Sequence, residues 1–379
     1  MNVQCQMPIE SILLSINVRW WNAEAAYAIN LARALINDKK KVQVIVNRNS
    51  PAHQKAIQYN IPVITDISLD SVSPMMQLKN LRKVLSLIDR ENIQVINSFK
   101  SNGSFIFSIA KKLRPHICYF KTRGEARPPR KNWINNYLYG PKACDGLIAV
   151  GRQVKKWLTQ LSLEGQKIRI IHYGDSAALS ELPVDKDQIK QKFNLPLDSK
   201  ILALIGRNQR VKGHMILLEA FKKLRHPSSH LVFLIKDLNE FPEELAEIKM
   251  YIKNNYLDAK VTILGFQEDI GSLMSCIDVG VIPSLSSEVN CRVAVEFFSG
   301  SIPVVAFPTG TLPDIIHHQI NGCLCEQKTA TDLVEKLDWL LEDESRRIEN
   351  GLAAFRSYQE EYTLEKFAKK TEEFYNLSN

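Results

Sequence analysis

The amino-acid sequence predicts an α/β protein built from two Rossmann-like, doubly wound domains. Three observations support this class. The chain of 379 residues is long enough for about two domains. Short apolar segments alternate with amphipathic ones, which is typical of parallel sheets covered by helices. The alternation stops once, in residues 174–199, and then restarts.

Residues 1–173 are predicted to form the first domain. Its first strand is the apolar run "SILLSI", and a helix follows from about Ala23, with Asn22 as its N-cap. Further strands are predicted in the segments 41–46, 93–99, 116–122, 145–150 and 167–174, with helices between them. These strands are short, apolar and connected by helices, so the sheet is expected to be parallel.

Residues 174–199 contain two prolines and lack the alternation, so they are interpreted as the connector between domains. A second domain is predicted over residues 200–350. Its strands are "ILALIGR", "HLVFLIK", "KVTILGF", "DVGVIPS" and "IPVVAF". Residues 351–379 end in a helix capped by Thr363, which is expected to pack back on the first domain. Two such domains are expected to face each other across a cleft, with ligands at the carboxyl ends of the strands.

Composition indicates a soluble protein that is expected to be cytoplasmic. Apolar residues make up 45% and charged residues 24%, and no apolar run approaches the roughly 20 residues that span a bilayer. The N-terminus does not resemble a secretory signal. Seven scattered cysteines favour reduced thiols, and the pair Cys323 and Cys325 lacks a second half, so a zinc site is not expected. No cofactor and no fixed metal are expected either.

The net charge of +8 is concentrated in one segment. Residues 111–131 carry eight lysines and arginines against Glu125 alone. Such a patch attracts phosphate groups, whether those of lipid head groups, of a phosphorylated acceptor or of nucleic acid. A solvated basic loop is the alternative. Nucleic acid is not expected, because no helix-turn-helix or aromatic–basic surface is evident.

Two motifs in the second domain point to a phosphate-bearing ligand. The segment "GRNQRVKGH" places Gly206, Arg207 and Lys212 between a strand and a helix, where backbone N–H groups and two cations can hold adjacent phosphates. The segment "SSEVNCRVAVEFFSG" places Glu288 before a helix and Glu296 in its second turn. A carboxylate accepts paired hydrogen bonds from vicinal sugar hydroxyls. Solvated cations and a capping acid are the alternatives for each motif taken alone.

These motifs, with the following "GSIPVVA", "TGTLPDII" and "NGCLC", resemble the nucleotide-sugar half of GT-B glycosyltransferases, in particular the retaining family 4 enzymes. The resemblance extends over the whole chain, but residues 200–325 carry its specific motifs. It implies that the first domain binds the acceptor and the second binds a nucleotide-sugar donor.

The resemblance also implies roles for individual residues. Arg207 and Lys212 would hold the donor diphosphate, Glu296 the ribose, and Glu288 would face the transferred sugar. The remaining donor-site residues would lie around the sugar, the diphosphate and the base; they are Gly206, Asn290, Cys291, Arg292, Phe266, Thr309, Gly310 and Thr311.

The sequence departs from the family pattern at several positions. "EVNC" replaces the usual "E-G-F-G", and Asp314 stands where a glutamate is common. In the first domain, "NVRWWNAE" replaces a glycine-rich turn, and "KTRGEARPPRK" replaces a segment with a histidine. The acceptor-side candidates are therefore Arg19, Trp20, Arg123, Glu125 and Arg127. The tryptophans of the first segment are either an acceptor platform or, as their large apolar area favours, a packed core edge.

The activity implied by the resemblance is transfer of a sugar from a nucleotide-diphosphate sugar to an acceptor. Because of the basic segment 111–131, the acceptor is expected to be an anionic glycan or glycolipid, such as a lipopolysaccharide core, with peripheral contact to an anionic membrane. In retaining transfer, the donor phosphate oxygen itself would take the acceptor proton. A nucleotide-sugar epimerase of the same fold and a non-catalytic donor-binding partner subunit are the alternatives. Glycoside hydrolysis is not expected, because a hydrolase has no use for a phosphate-binding pair of cations.

Overall fold

Two parallel sheets organise the protein into two units. The computed structural model describes residues 8–71, 73–176, 185–286 and 288–377. Unit 1 comprises the chain up to Asp175 together with the segment from Tyr362, and unit 2 comprises Ser176–Glu361. The predicted pair of doubly wound domains is therefore confirmed.

Unit 1 contains a seven-stranded sheet in the order β3-β2-β1-β4-β5-β6-β7. Its strands are β1 Ser11–Ile16, β2 Lys41–Val46, β3 Val63–Ile64, β4 Val95–Ser98, β5 Cys118–Arg123, β6 Gly146–Ala149 and β7 Ile168–Ile170. Its helices are α1 Ala23–Asn37, α2 Pro51–Gln58, α3 Pro74–Glu91, α4 Ser104–Leu113, α5 Trp133–Tyr139, α6 Arg152–Leu158 and, from the C-terminal segment, α15 Leu364–Asn376. All six residues of β1 are buried, as helices on both faces require.

Unit 2 contains a six-stranded sheet in the order β10-β9-β8-β11-β12-β13. Its strands are β8 Lys200–Ile205, β9 Ser229–Leu234, β10 Val261–Leu264, β11 Val279–Ile282, β12 Val304–Ala306 and β13 Gly322–Leu324. Its helices are α7 Lys186–Lys192, α8 His214–Phe221, α9 Pro242–Asn254, α10 Ile270–Ser275, α11 Arg292–Ser299, α12 Leu312–Ile315, α13 Ala330–Leu341 and α14 Glu344–Ser357. The core of this unit lies between β8, β9 and the helices α8, α9 and α13.

Side-chain caps fix several helix starts, as the sequence predicts. Asn22 accepts a hydrogen bond from the backbone N–H of Ala25 at 2.9 Å, so α1 begins at Ala23. Thr363 accepts one from the N–H of Lys366 at 3.2 Å and begins α15. Each cap supplies an acceptor for an N–H group that the helix itself leaves unpaired.

Part of the predicted connector is folded structure. Residues 177–184 lie outside the described residues, but α7 follows directly and belongs to unit 2. Asp185 caps α7 by accepting from the N–H groups of Asp187 and Gln188. Lys192 then pairs with Asp269 at the start of α10 at 2.7 Å. The connector is thus shorter than 174–199, because a local cap and an ion pair order its second half.

The C-terminal segment leaves unit 2 later than residue 351. Residues 351–357 continue α14, which packs on α11, with Gly351 against the carbonyl of Ser301. Residues from Tyr362 onward belong to unit 1. There α15 packs on α1, with the Phe367 ring edge-on to Tyr27 at 4.7 Å between ring centroids. The boundary lies near residue 361, because α14 is one continuous helix that the sequence analysis divided.

A carboxyl on α15 links the stability of unit 1 to pH. Burial raises the pKa of Glu372 to about 7, and a hydrogen bond with Asp38 adds to this rise against an ion pair with Lys40 at 3.2 Å. The pKa is raised in the folded state. The contribution of Glu372 to the free energy of unfolding of unit 1 is therefore complete below pH 4.5, the ordinary pKa of the group. That contribution is lost as the pH rises through about 7.

We expect Glu372→Gln to reduce the loss of stability at high pH, because the amide keeps a donor toward Asp38 and does not ionise. At about pH 8.5 the variant should unfold roughly 2–4 °C above the wild type, and at about pH 5 the difference should vanish. Thermal unfolding followed by circular dichroism measures this. The matched control is Glu373→Gln, which removes an exposed pair with Arg169. Equal pH profiles for both variants would contradict the assignment.

Candidate active site

Three loops of unit 2 meet at the carboxyl edge of its sheet. They are the β8 loop (206–213), the β11 loop (283–291, with Ser287 outside the described residues) and the β12 loop (307–311). Their strands are neighbours in the order β8-β11-β12, while β9 lies on the other side of β8. The strands that follow β8 in the chain are first added on one side of it, as β9 and β10, and then on the other side, beginning with β11. Open α/β sheets bind ligands at such a reversal of strand order.

A glycine fixes the position of Lys212 against the β11 loop. Gly213 adopts a left-handed φ of +81°, and a Cβ atom there would lie 2.1 Å from the carbonyl oxygen of Pro283. Only glycine allows this approach. The N–H of Leu285 also donates to the carbonyl of Val211 at 2.8 Å. These two contacts hold Lys212 beside the residues that follow β11.

Lys212 forms an ion pair with Glu288, one of the two acidic residues of the sequence motif. The Ser284 hydroxyl donates to the same carboxylate oxygen, Oε1, at 2.6 Å. Glu288 is partly buried, and these two donors offset the cost of burying its charge. The structure thus brings together Lys212 and Glu288, which the sequence analysis assigned to the diphosphate and the sugar. Ser284 was missed, because a serine in a turn gives no distinctive signal.

The β12 loop holds the backbone of Glu288 from the other side. Gly310 has a φ of +63°, and a Cβ atom there would lie 1.8 Å from the Glu288 carbonyl oxygen. The N–H of Thr311 donates to that same oxygen at 2.8 Å. The buried hydroxyls of Thr309 and Thr311 donate to the carbonyls of Ser284 and Val289 at 2.5 and 2.7 Å. Both hydroxyls therefore position the β11 loop.

The helix α11 begins in this cluster with an unusual cap. Cys291 is buried and takes a left-handed φ of +46°, and its sulfur lies 2.8 Å from the Thr311 hydroxyl. Burial, with Glu288 nearby, raises the pKa of its thiol well above the ordinary value, so it is not a thiolate nucleophile. Asn290 beside it is also buried.

Glu296 lies on the second turn of α11 and pairs with Arg292 at 3.0 Å. This is an i, i+4 pair on one helix, and both side chains are partly buried. The structure therefore places the second carboxylate on the helix that starts at the Glu288 loop, with a cation already beside it.

Arg207 and Phe266 lie at the same strand edge but outside this cluster. Arg207 pairs with Glu240 at 3.2 Å and stands over the Phe241 ring at 5.9 Å. Phe266 follows β10 and is 65% exposed. Gly206 lies nearer to Lys212, whose side-chain carbons would be 3.9 Å from a Cβ atom at that position. The two cations of the motif therefore have separate carboxylate partners.

His214, at the first position of α8, was missed by the sequence analysis. It is buried with its ring edge-on to Phe233 at 4.9 Å, and neither ring nitrogen has a hydrogen-bond partner among the described residues. Burial, and then the charge of Lys212, lower its pKa to about 4. A neutral ring thus lies under the β8 loop and adds no charge to the site.

Unit 1 carries a second polar cluster at the carboxyl edge of its own sheet. Lys100 follows β4 and contacts Glu24 on α1 at 2.8 Å and Glu125 after β5 at 3.4 Å. Arg123 contacts Glu125 at 2.9 Å and donates to the Tyr139 hydroxyl at 2.8 Å. These residues line one pocket next to the point where the strand order reverses between β1 and β4.

Two buried atoms of this pocket have no hydrogen-bond partner among the described residues: Glu24 Oε1 and Arg123 Nε. Burial raises the pKa of Glu24, and the neighbouring Lys100 opposes that rise. An unpaired buried oxygen beside cations is suited to accept a hydrogen bond from a ligand hydroxyl. Glu24, Lys100 and Tyr139 escaped the sequence analysis, because they are distant in sequence from Arg123 and Glu125.

The other acceptor-side candidates do not line this pocket. Arg19 is exposed and lies 3.5 Å from Asp70. Trp20 is 62% exposed, so the interpretation of this residue as a packed core edge is wrong. Arg127 is exposed, while its carbonyl accepts a hydrogen bond from Arg123 at 2.6 Å.

Neither a metal cluster nor a membrane span is found in the described part of the chain. No three His, Cys, Asp or Glu side chains there group together as a metal ion would need. None of the helices described there combines the length and apolar character that crossing a bilayer requires.

Two family models match this chain. The model described as "Glycosyl transferases group 1" matches residues 185–355, within unit 2. The model "Glycosyltransferase Family 4" matches residues 25–174, within unit 1. Together they cover most of the chain, including the three loops of unit 2 and every named residue of the unit 1 cluster except Glu24.

Individual relatives are distant. N-acetyl-alpha-D-glucosaminyl L-malate synthase of Bacillus anthracis is 27% identical over 50% of this chain and 49% of that protein, so the match spans about half of that relative. The capsular polysaccharide biosynthesis glycosyltransferase CapM of Staphylococcus aureus is 23% identical over 92% of this chain and 94% of that protein.

Solved structures share the fold over nearly the whole chain. A glycosyltransferase from Rickettsia africae has a TM-score of 0.87 at 20% identity and covers 97% of this chain and 98% of its own. HepE from Anabaena, solved with UDP and glucose, has a TM-score of 0.79 at 18% identity and covers 96% and 99%. With the two sheet topologies, these likenesses confirm the predicted GT-B fold class.

The contact between Gly310 and Glu288 generates a stability prediction. Gly310→Ala should cost about 3 kcal/mol or more, because the new Cβ both strains the backbone and collides with a carbonyl. Urea unfolding measures the change. The matched control is Gly165→Ala, which has a φ of +76° but no atom within 4 Å, and should cost only about 1–2 kcal/mol. Equal losses would show that the close approach is unimportant.

Proposed function

Since this chain belongs to the glycosyltransferases group 1 family and is a glycosyltransferase, we propose that unit 2 binds a nucleotide-diphosphate sugar at its three loops. The observation that carries this proposal is the placement of Lys212 beside Glu288 and Ser284 at the start of α11. A cation, a carboxylate and a helix N-terminus there can meet a phosphate and a sugar hydroxyl together.

The ion pair of Lys212 is compatible with donor binding. An ammonium group has three N–H donors, so the bond to Glu288 leaves two for phosphate oxygens. A phosphate between Lys212 and the N-terminus of α11 would be stabilised by the charge of the lysine and by the helix dipole. The same groups would stabilise the leaving diphosphate as the anomeric bond breaks. Arg207 would reach the diphosphate by leaving the exposed Glu240, a surface pair of small energy.

The transfer would proceed with retention and without a protein nucleophile. The thiol of Cys291 is protonated, and Glu288 accepts hydrogen bonds from Lys212 and Ser284. The acceptor hydroxyl would give its proton to the leaving phosphate oxygen. Glu296 would accept the ribose hydroxyls, and Phe266 would flank the base.

The acceptor would bind unit 1 at the pocket around Glu24, Lys100, Arg123 and Glu125. Glu24 Oε1 has no hydrogen-bond partner in the part of the chain that the structure describes, so it suits a ligand hydroxyl, and the cations of the pocket suit an anionic substituent. We therefore propose an anionic glycan or glycolipid, such as a lipopolysaccharide core, as the acceptor. A relative named Lipopolysaccharide 1,2-N-acetylglucosaminetransferase, from Salmonella typhimurium, is consistent with this class at 26% identity over 42% of this chain and 44% of its own length.

A panel of nucleotides tests the donor. Thermal shifts with UDP, GDP, ADP and CMP and their sugar conjugates, with and without Mg²⁺, should show stabilisation by one nucleotide diphosphate. Product analysis then separates the alternatives: sugar on an acceptor indicates transfer, and a changed free nucleotide sugar indicates an epimerase. Binding without turnover would indicate the partner subunit.

At the donor site, Lys212→Ala should lower kcat by about 100-fold or more and weaken donor binding less, because the leaving diphosphate gains charge in the transition state. Glu296→Ala should weaken donor binding about tenfold by removing an acceptor for the ribose. Initial rates and nucleotide titrations measure both. Lys249→Ala, an exposed lysine of α9, is the control. Unchanged turnover in Lys212→Ala would falsify the diphosphate role.

At the acceptor pocket, Glu125→Gln should lower kcat/KM for the acceptor by about tenfold and leave the nucleotide thermal shift unchanged. The reason is that Glu125 orients both Lys100 and Arg123. The control is Asp89→Asn, which breaks an ion pair with Arg114 elsewhere in unit 1. If the acceptor kinetics of both variants match the wild type, this pocket is not the acceptor site.

A further inference from the structure

We propose that unit 1 binds the surface of an anionic phospholipid bilayer through an exposed face shared by α4 and α5, which we call the α4–α5 face. It consists of Phe105, Lys112, Arg130, Lys131, Trp133 and Ile134. The inference does not depend on the proposed donor or acceptor.

Contacts between the two helices place the members of α4 and α5 on adjoining surfaces. Arg130 and Lys131 come directly before the N-cap of α5, and the Arg130 carbonyl accepts a hydrogen bond from the Asn135 side chain of that helix at 2.7 Å. Ser108 of α4 and Tyr137 of α5 have their hydroxyls 3.5 Å apart, and Lys112 stands over the Tyr137 ring at 5.3 Å. Phe105 lies three residues before Ser108, so it shares that side of α4. Trp133 and Ile134 lie four and three residues before Tyr137 and share the corresponding side of α5.

The apolar members of the face are exposed. Phe105 is 61% exposed, Trp133 is 78% exposed and Ile134 is 47% exposed. Single exposed apolar residues are ordinary, but two aromatic rings and an isoleucine on adjoining helix turns form a patch. Tryptophan in particular is suited to the boundary between headgroups and acyl chains.

The structure also divides the basic segment 111–131 into two parts. Half of its cations are used inside unit 1: Lys111 pairs with Asp145, Arg114 with Asp89, Arg123 with Glu125, and Lys121 is buried over the Tyr139 ring. The other four cations of the segment are exposed; they are Lys112, Arg127, Arg130 and Lys131. Three of these four lie on the α4–α5 face, so the exposed positive charge coincides with the exposed aromatic rings.

This combination matches an anionic bilayer. Exposed cations are attracted to anionic headgroups, and the apolar rings beside them can enter the membrane interface. Neither the binding of a free phosphate nor the solvation of a basic loop requires exposed apolar rings. The helix α5 runs from this face at Trp133 to the pocket at Tyr139, about 9 Å along its axis. A lipid-linked acceptor held at the bilayer would thus be close to the pocket.

Vesicle flotation of the full chain tests the proposal. With phosphatidylcholine vesicles containing phosphatidylglycerol we expect binding that weakens with salt, and with phosphatidylcholine alone we expect little. The double substitution Arg130→Glu and Lys131→Glu should lower the partition coefficient at least about tenfold. Trp133→Ala should also lower it, and this loss should persist at high salt, because it removes apolar rather than charged contact.

Matched controls lie in unit 2. Lys249→Glu with Lys253→Glu changes the net charge equally on the exposed side of α9, and Tyr256→Ala removes an exposed aromatic ring; both should bind like the wild type. The proposal is overturned if the wild type does not float with anionic vesicles, or if the unit 2 variants lose as much binding as those of the face. The nucleotide thermal shift of each variant should stay unchanged, so a negative flotation result leaves the donor site unaffected.

Discussion

The candidate donor site depends on two close backbone contacts made by glycines. Gly213 lies against the carbonyl of Pro283, and Gly310 against the carbonyl of Glu288, at distances that no Cβ atom permits. These contacts join the loops after β8, β11 and β12, whose strands are neighbours in the sheet. The Lys212–Glu288 ion pair and the hydroxyl contacts of Thr309 and Thr311 follow from that approach. The backbone contacts of the two glycines therefore determine which side chains of the three loops lie together.

Charge is paired in both units. Lys212 pairs with Glu288, Arg207 with Glu240, and Arg292 with Glu296, so each donor-site cation has a carboxylate partner. In unit 1, Lys100 and Arg123 share Glu125. Burying an unpaired charge is costly, and pairing keeps these polar clusters stable in the folded protein. A ligand with phosphates and hydroxyls can replace or extend such pairs, because it offers the same kinds of acceptors and donors.

The two sheets carry their polar clusters at equivalent places. In each unit the cluster lies where the strand order reverses, between β1 and β4 in unit 1 and between β8 and β11 in unit 2. The fold alone does not determine what a site binds, so the ligand of each unit is inferred from the side chains of its own cluster. Unit 2 presents a lysine, a carboxylate and a helix N-terminus. Unit 1 presents two cations that share Glu125, and beside them the Oε1 of Glu24, for which the described residues offer no hydrogen-bond partner.

The sequence by itself determined the two doubly wound units, the caps at Asn22 and Thr363, the loop positions of Arg207, Lys212 and Glu288 after their strands, and the helical position of Glu296. These features depend on local periodicity, capping and turn chemistry, which neighbouring residues encode. Tertiary structure decided which residues meet. It gave Lys212 and Arg207 separate carboxylate partners, Glu288 and Glu240. It joined Glu24, Lys100 and Arg123 into one cluster through Glu125, and it brought Lys112 of α4 over the Tyr137 ring of α5. Such pairings depend on strand order and helix packing between segments distant in the chain, which no local pattern specifies.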